Sequence, residues 1–217
     1  MSRAWSAPDG PVAQTAIAVW YVFVISLCFL VACLPYFVFE TVVGWQASHV
    51  ALWLGTLSLA PVPPALRGLM ESARALVTER GHPGRPIRRF YRAVLDATPA
   101  LRALWYTVPV LILLMAYDLA LYGADSSAAT VAVAVAATIV GIVVIGASAT
   151  SAPTPGDNLP GLVTAVLRAL GRRPLVPMAW ILLLVVAIAA SRTPLLGPSL
   201  TLFLPGAWAA AVGIVNR

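Results

Sequence analysis

The sequence predicts an all-α protein that crosses a membrane about six times, and three observations carry this prediction. Hydrophobic residues make up 60% of the 217 positions and charged residues only 10%, far from the composition of soluble domains. Six apolar stretches each come near the roughly 20 residues that a helix needs to cross a bilayer. The arginines lie almost entirely in the connections on one side of those stretches. Together, these observations predict a single integral-membrane domain over residues 1–217.

The six stretches define a topology with both termini in the cytoplasm. They are Thr15–Phe39, Val50–Leu69, Ala103–Tyr122, Ala128–Thr150, Leu175–Ser191 and Leu195–Val215. If Arg3 starts inside, only Arg192 of the fourteen arginines lies outside. Cytoplasmic connections carry an excess of basic residues, so this orientation is favoured over its reverse. All basic residues are arginine and alanine is abundant, which indicates a GC-rich bacterial genome and hence the bacterial inner membrane.

Two or three amphipathic helices are predicted on the cytoplasmic face, over residues 65–78, 86–98 and 158–170. In the first, Glu71 is spaced to pair with Arg67 or Arg74 on the polar face. The prolines at 61, 63 and 64 are expected to interrupt the preceding membrane helix. Pro86 suits the first turn of the second amphipathic helix, and Asp157 or Asn158 can cap the third. Pro99 marks the start of the third membrane helix.

Two of these amphipathic segments resemble each other. The segment FYRAVLDA at 90–97 and the segment LVTAVLRA at 162–169 share Ala-Val-Leu and a terminal alanine, at an offset of 72 residues. Each follows a turn rich in proline and glycine and precedes a new crossing. A parallel internal repeat, as some transporters carry, is one explanation. Convergence of two interfacial helices on a similar composition is the other.

Small residues form continuous faces on two of the predicted membrane helices. Ala137 and Gly141 are four residues apart in the fourth helix, and the sixth helix has Gly206 with Ala210 and Ala209 with Gly213. Faces of this kind let helices approach closely in lipid. They are explained either by packing inside the bundle or by contact between copies in a homo-oligomer.

The composition gives no indication of catalysis, cofactor binding or metal binding. The two histidines, His49 and His82, do not lie near cysteine, aspartate or glutamate at metal-ligand spacing, and no phosphate-binding glycine loop is present. The middle of each apolar stretch lacks clustered titratable groups. The net charge of +6 sits in connections beside the membrane, where anionic lipid headgroups are nearer partners than nucleic acid. We therefore expect a non-enzymatic protein.

Two groups of charged residues are candidate contact sites. On the outer side, Glu40, Asp118 and Arg192 lie near the ends of the first, third and fifth membrane helices. They either form a cluster at the outer mouth of the bundle or remain three separate charges at headgroup level. On the cytoplasmic side, arginines of the second and third amphipathic segments are candidate contacts with anionic lipid or a partner: Arg85, Arg88, Arg89, Arg92, Arg168, Arg172 and Arg173.

The stretch LWLGTLSLAPVPPALRGLMESARALVTERG, followed by RRFYRAVLDATPALRALW, resembles the YesL family of bacterial integral-membrane proteins. Pro64-Ala65, Gly81 and Phe90-Tyr91 occupy the places of the proline-alanine element, the glycine and the aromatic-basic segment of that family. The Arg-Lys-Trp element of the family is missing. The resemblance implies an accessory role in carbohydrate ABC transport, with a transporter subunit as partner. A small solute transporter or channel, using the helical bundle itself, is the alternative function.

Overall fold

The computed structural model describes residues 10–79, 84–122, 126–149, 158–191 and 201–215, and every regular element in these ranges is a helix. The helices are α1 Pro11–Ala32, α2 Leu34–Val42, α3 His49–Leu59, α4 Val62–Thr78, α5 Pro86–Leu95, α6 Pro99–Tyr122, α7 Ser127–Ala149, α8 Leu159–Arg172, α9 Leu175–Ser191 and α10 Leu204–Val215. The predicted all-α class is therefore confirmed.

Four spans of the described chain are long and apolar enough to cross a membrane: 12–32, 49–78, 99–122 and 127–149. The count rises to five if α8 and α9, which meet at an angle of 92°, are taken together as one bent span. Helix α10 is apolar but has only 12 residues. Such a set of apolar helices is typical of a membrane protein. Six separate crossings exceed this count, and residues 192–200, where the sixth predicted stretch begins, lie outside the described ranges.

The first two predicted stretches are each divided in two. The helix expected over 15–39 ends at Ala32, and α2 begins again at Leu34. Pro35 stands at the start of α2, and a proline there lacks the N–H that would continue the hydrogen-bond ladder of α1. The second stretch breaks at Ala60 and Pro61, so the predicted interruption by the proline run is confirmed.

Local predictions about helix ends and polar faces are also confirmed. The Asn158 side chain accepts a hydrogen bond from the Gly161 amide and thereby caps α8. On α4, Glu71 lies 3.8 Å from Arg67 and 3.3 Å from Arg74, so it contacts both of its predicted partners. These features depend on residues three or four positions apart, which a helix brings together irrespective of the rest of the fold.

The chain divides into two compact units. The first comprises residues 1–31, 67–96 and 174–217, and the second comprises residues 32–66 and 97–173. In the first unit, α9 packs against α10, and Ile25, Leu69, Phe90 and Val212 are among its fully buried side chains. In the second unit, α6 packs against α3, α7 and α8, and α2 packs against α3.

The core of the second unit shows where the apolar face of α8 is directed. Leu162 and Val166 are buried against residues of α6 and α7, among them Leu104, Val108 and Val144. Leu167, on the flank of that face, is exposed. Leu162 and Val166, at the centre of the apolar face predicted for residues 158–170, therefore pack against protein.

The small-residue faces of α10 and α7 differ in their surroundings. A Cβ atom added to Gly206 would lie 2.7 Å from the Ser26 hydroxyl and from the Val22 carbonyl oxygen, both on α1. This face of α10 therefore packs inside the first unit. A Cβ atom on Gly141 of α7 would meet no described atom within 4 Å. Open space therefore remains beside Gly141 on α7, whereas the backbone of α1 lies directly against Gly206 of α10.

Candidate functional site on helix α5

One aromatic side chain of α5, that of Phe90, packs into the core of the first unit beside α4. Phe90 is 2% exposed, and its carbonyl oxygen would lie 3.0 Å from a Cβ atom added to Gly68 of α4. The ring atoms of Phe90 are almost as close to the same position. Because Gly68 has no side chain, α5 can approach the backbone of α4 and place this ring in the core. Phe90 thereby determines which face of α5 points outward.

The outward face of α5 combines an apolar stripe with arginines. Ile87, Tyr91 and Leu95 are spaced four residues apart and are 55%, 52% and 72% exposed. Arg88 and Arg92 follow them by one position along the helix, and Arg85 stands at its N-terminal end; all three are exposed. An exposed apolar stripe beside positive charge fits a surface where hydrocarbon meets anionic headgroups, or an amphipathic protein surface. We call these six residues the α5 outer face.

Arg89 does not belong to the α5 outer face, because it is engaged with the end of α4. Its guanidinium donates two hydrogen bonds to the carboxylate of Glu79, at 2.9 Å and 2.5 Å. This donation holds the pKa of Glu79 below its usual value and raises the pKa of Arg89. The four candidate arginines of this segment therefore divide into three exposed ones and one that links two helices.

Two buried hydroxyl groups neighbour this ion pair. Tyr21 of α1 is 2% exposed and interacts electrostatically with Arg89, but its hydroxyl, like that of Ser72, forms no hydrogen bond within the described chain. Ser72 on α4 is fully buried. A hydroxyl nucleophile requires an adjacent general base, and the pairing with Arg89 makes Glu79 a weaker base. The Arg89–Glu79 ion pair thus connects α4 and α5, and Tyr21 of α1 lies beside it.

Three residues near this ion pair were not predicted from the sequence: Tyr21, Ser72 and Glu79. Tyr21 is a polar-tipped residue within an apolar stretch, and Ser72 interrupts the apolar face of α4 between Leu69 and Ala73. Polar atoms at such positions require partners when they are buried, which is the signal that could have identified them. Glu79 could have been identified only through its pairing with Arg89, ten positions away.

The second group of candidate arginines lies on α8. Arg168, Arg172 and Arg173 are exposed, and Arg172 occupies the last turn, where positive charge is favoured by the helix dipole. These three arginines are exposed, whereas Leu162 and Val166 of the same segment are buried. Unlike α5, α8 shows only Leu167 as a large exposed apolar side chain beside them.

The proposed outer charge cluster is only partly described. Glu40 on α2 and Asp118 on α6 are both exposed, and neither forms an ion pair with any described residue. Arg192 lies outside the described ranges, as do Arg3, Arg80 and Arg217. Beside Asp118, the Tyr117 hydroxyl is 2.8 Å from Nδ1 of His49, which links α6 to the start of α3. The described ranges contain no group of three or more histidine, cysteine, aspartate or glutamate side chains that could hold a metal ion.

Comparison with family models, with curated proteins and with solved structures finds no match to this chain. The class that its own features define is an all-helical protein with several apolar helices, as found in membranes.

Proposed function

We propose that this chain is a non-enzymatic protein of the bacterial cytoplasmic membrane that binds a partner membrane protein through the α5 outer face. The observation that carries the proposal is the exposure of Ile87, Tyr91 and Leu95 beside Arg88 and Arg92. Aromatic residues and arginine are enriched in the energetically important parts of protein interfaces. The resemblance to the YesL family makes a subunit of a carbohydrate ABC transporter the first partner to test.

The membrane arrangement that belongs to this proposal has six crossings and both termini in the cytoplasm. The asymmetric arginine distribution supports the orientation, since reversing it would place thirteen arginines outside. In this arrangement α9 is the fifth crossing and α10 forms part of the sixth. The α5 outer face and the arginines of α8 then lie at the cytoplasmic surface, near anionic headgroups.

An internal duplication is also part of the proposal. Phe90 and Leu162 occupy equivalent positions of the two similar segments, and both are buried. Leu95 and Leu167 are equivalent as well, and both are exposed. Agreement in burial at these two matched positions supports a common origin, because it indicates that these parts of both helices use the same faces. The shared terminal alanines differ, since Ala97 is buried and Ala169 is exposed.

Affinity purification from the native membrane in a mild detergent tests the docking function. We expect a transporter subunit to be recovered with the wild-type chain. The double substitution Ile87→Ser with Leu95→Ser should lower its recovery at least about tenfold, as expected when anchor residues are removed. Leu167→Ser on α8 is the matched control, since it removes an exposed leucine from the other amphipathic helix. Recovery of the wild-type chain without a partner would contradict the proposal.

A solute transporter or channel remains the alternative, and the helix interruptions favour it. The regular α-helix is interrupted at Cys33 and at Ala60–Pro61 within apolar segments, as occurs where broken helices line a substrate path. Purified chain in liposomes should then carry solute across the bilayer without any partner. Flux that persists in the Ile87→Ser, Leu95→Ser variant, together with recovery of the chain alone, would establish this alternative.

A further inference from the structure

The second unit contains an apolar groove between α6, α7 and α8, with a volume of about 550 Å³. Its walls include Leu104, Val108 and Leu111 of α6, Val140 and Val143 of α7, and Val163 of α8. This volume lies in the range of small-molecule sites, about 300–1,000 Å³. The groove is independent of the α5 outer face, because all its lining residues belong to the other compact unit.

The groove has no group suited to a polar ligand in its wall. Thr107 is among the lining residues, but its hydroxyl donates to the Leu104 carbonyl oxygen at 3.0 Å. The remaining lining residues are aliphatic, apart from Tyr106 at the edge, which is 77% exposed. A ligand that fills this space must therefore be apolar along a length of about 10 Å, the rise of α6 from residue 104 to residue 111.

An arginine of α6 stands one helical turn beyond a residue that lines the groove. Arg102, Tyr106 and Val110 are spaced four residues apart on α6, so they follow one face of that helix. Tyr106 and Val110 line the groove, and the exposed Arg102 stands one turn beyond Tyr106. Leu159, the first residue of α8, also lines the groove, which places the positive end of that helix dipole beside it.

We propose that this groove binds one acyl chain of an anionic glycerophospholipid, with the phosphate near Arg102. An apolar groove between α6, α7 and α8, with an arginine one helical turn beyond its lining residue Tyr106, matches the two parts of such a lipid and matches no uniformly polar solute. Tyr106 at the boundary has the amphipathic character of residues at the membrane interface. The lipid is a resident ligand of the second unit, distinct from lipids that merely surround the protein.

Native mass spectrometry of the full chain, released from detergent with added phosphatidylglycerol or phosphatidylcholine, tests the proposal. We expect one phosphatidylglycerol to be retained in preference to phosphatidylcholine. Arg102→Gln should reduce that preference about fivefold, as expected for one arginine at a charged membrane surface. Arg168→Gln removes the same charge from α8 and should leave the preference unchanged. Equal retention of both lipids, or equal effects of the two substitutions, would show surrounding lipid only.

The apolar part of the site has its own test. Val110→Trp places a large side chain in the groove and should reduce retention of both lipids, whereas Leu114→Trp, one turn further along the exposed surface of α6, should not. Because either variant can impair folding, the wild-type chain is also reacted with phosphatidylglycerol that carries a photoreactive acyl chain. Labelling concentrated at residues 104–111 and 139–143 supports the site. Labelling spread evenly over α6, α7 and α9 overturns it.

Discussion

The Ser26 hydroxyl on α1 accepts a hydrogen bond from the Gly206 backbone amide at 2.8 Å and donates one to the Phe203 carbonyl oxygen at 3.2 Å. Gly206 lies in the first turn of α10, where backbone amides lack partners within the helix. Such groups are costly in hydrocarbon unless another element satisfies them. Ser26 supplies that partner from a position 180 residues away and thereby allows α10 to begin within an apolar environment.

The close approach at Gly206 predicts a steric effect. Gly206→Ala would place a Cβ atom 2.7 Å from a backbone oxygen of α1, so the two helices must separate. We expect a loss of about 1–3 kcal/mol in unfolding free energy, measured by denaturant titration in detergent micelles. Gly213→Ala in the same helix is the control, because its Cβ would meet only Val77, at 4.0 Å. Equal stability of the two variants would contradict the observed packing of α10.

The orientation of α5 predicts different effects for two adjacent aromatic residues. Phe90→Ala removes a buried ring and should lower the unfolding free energy by about 3 kcal/mol. Tyr91→Ala removes an exposed ring and should change it by less than about 0.5 kcal/mol. Thermal unfolding in micelles measures both values. If the tyrosine variant proves the less stable one, α5 is rotated so that Tyr91, and not Phe90, faces the core.

The ion pair between Glu79 and Arg89 predicts sensitivity to acid. A carboxyl group whose pKa is lowered by folding contributes stability above its unfolded pKa, near 4.5, and that contribution disappears as the pH falls through the lower folded pKa. The melting temperature of the wild type should therefore fall below pH 4.5 more steeply than that of Glu79→Gln. Arg89→Gln should behave like Glu79→Gln, because the carboxylate then lacks its donor. Parallel curves for all three proteins would exclude this role.

The proposed topology predicts the accessibility of two connections. In a background with Cys28→Ala and Cys33→Ala, a cysteine at Ser126 should react in intact cells with a reagent that cannot cross the membrane. A cysteine at Thr154 should react only after the cells are opened. The reason is the arginine asymmetry, which places the connection after α6 outside and the connection after α7 inside. Labelling of position 154 from outside would exclude this topology.

The sequence by itself determined the features that arise between near neighbours in the chain. The bounds of α9, the start of α6 at Pro99, the cap at Asn158 and the pairing of Glu71 follow from apolar periodicity and from residues three or four positions apart. The exposed arginines of α5 were predicted for the same reason. Helical geometry brings such residues together in any fold, so no tertiary information is needed.

Only the tertiary structure decided which apolar residues face protein and how distant polar groups pair. Phe90 and Tyr91 both appeared on the apolar side of one helix, but Gly68 admits just one of the two rings to the core. Arg89 was indistinguishable from Arg88 until the end of α4 placed Glu79 beside it. Ser26 and Gly206 are separated by 180 positions. On an apolar helix surface, hydrophobicity alone does not distinguish a lipid-facing side from a protein-facing side. Close packing and the need to satisfy polar atoms make that distinction, and both depend on contacts between helices.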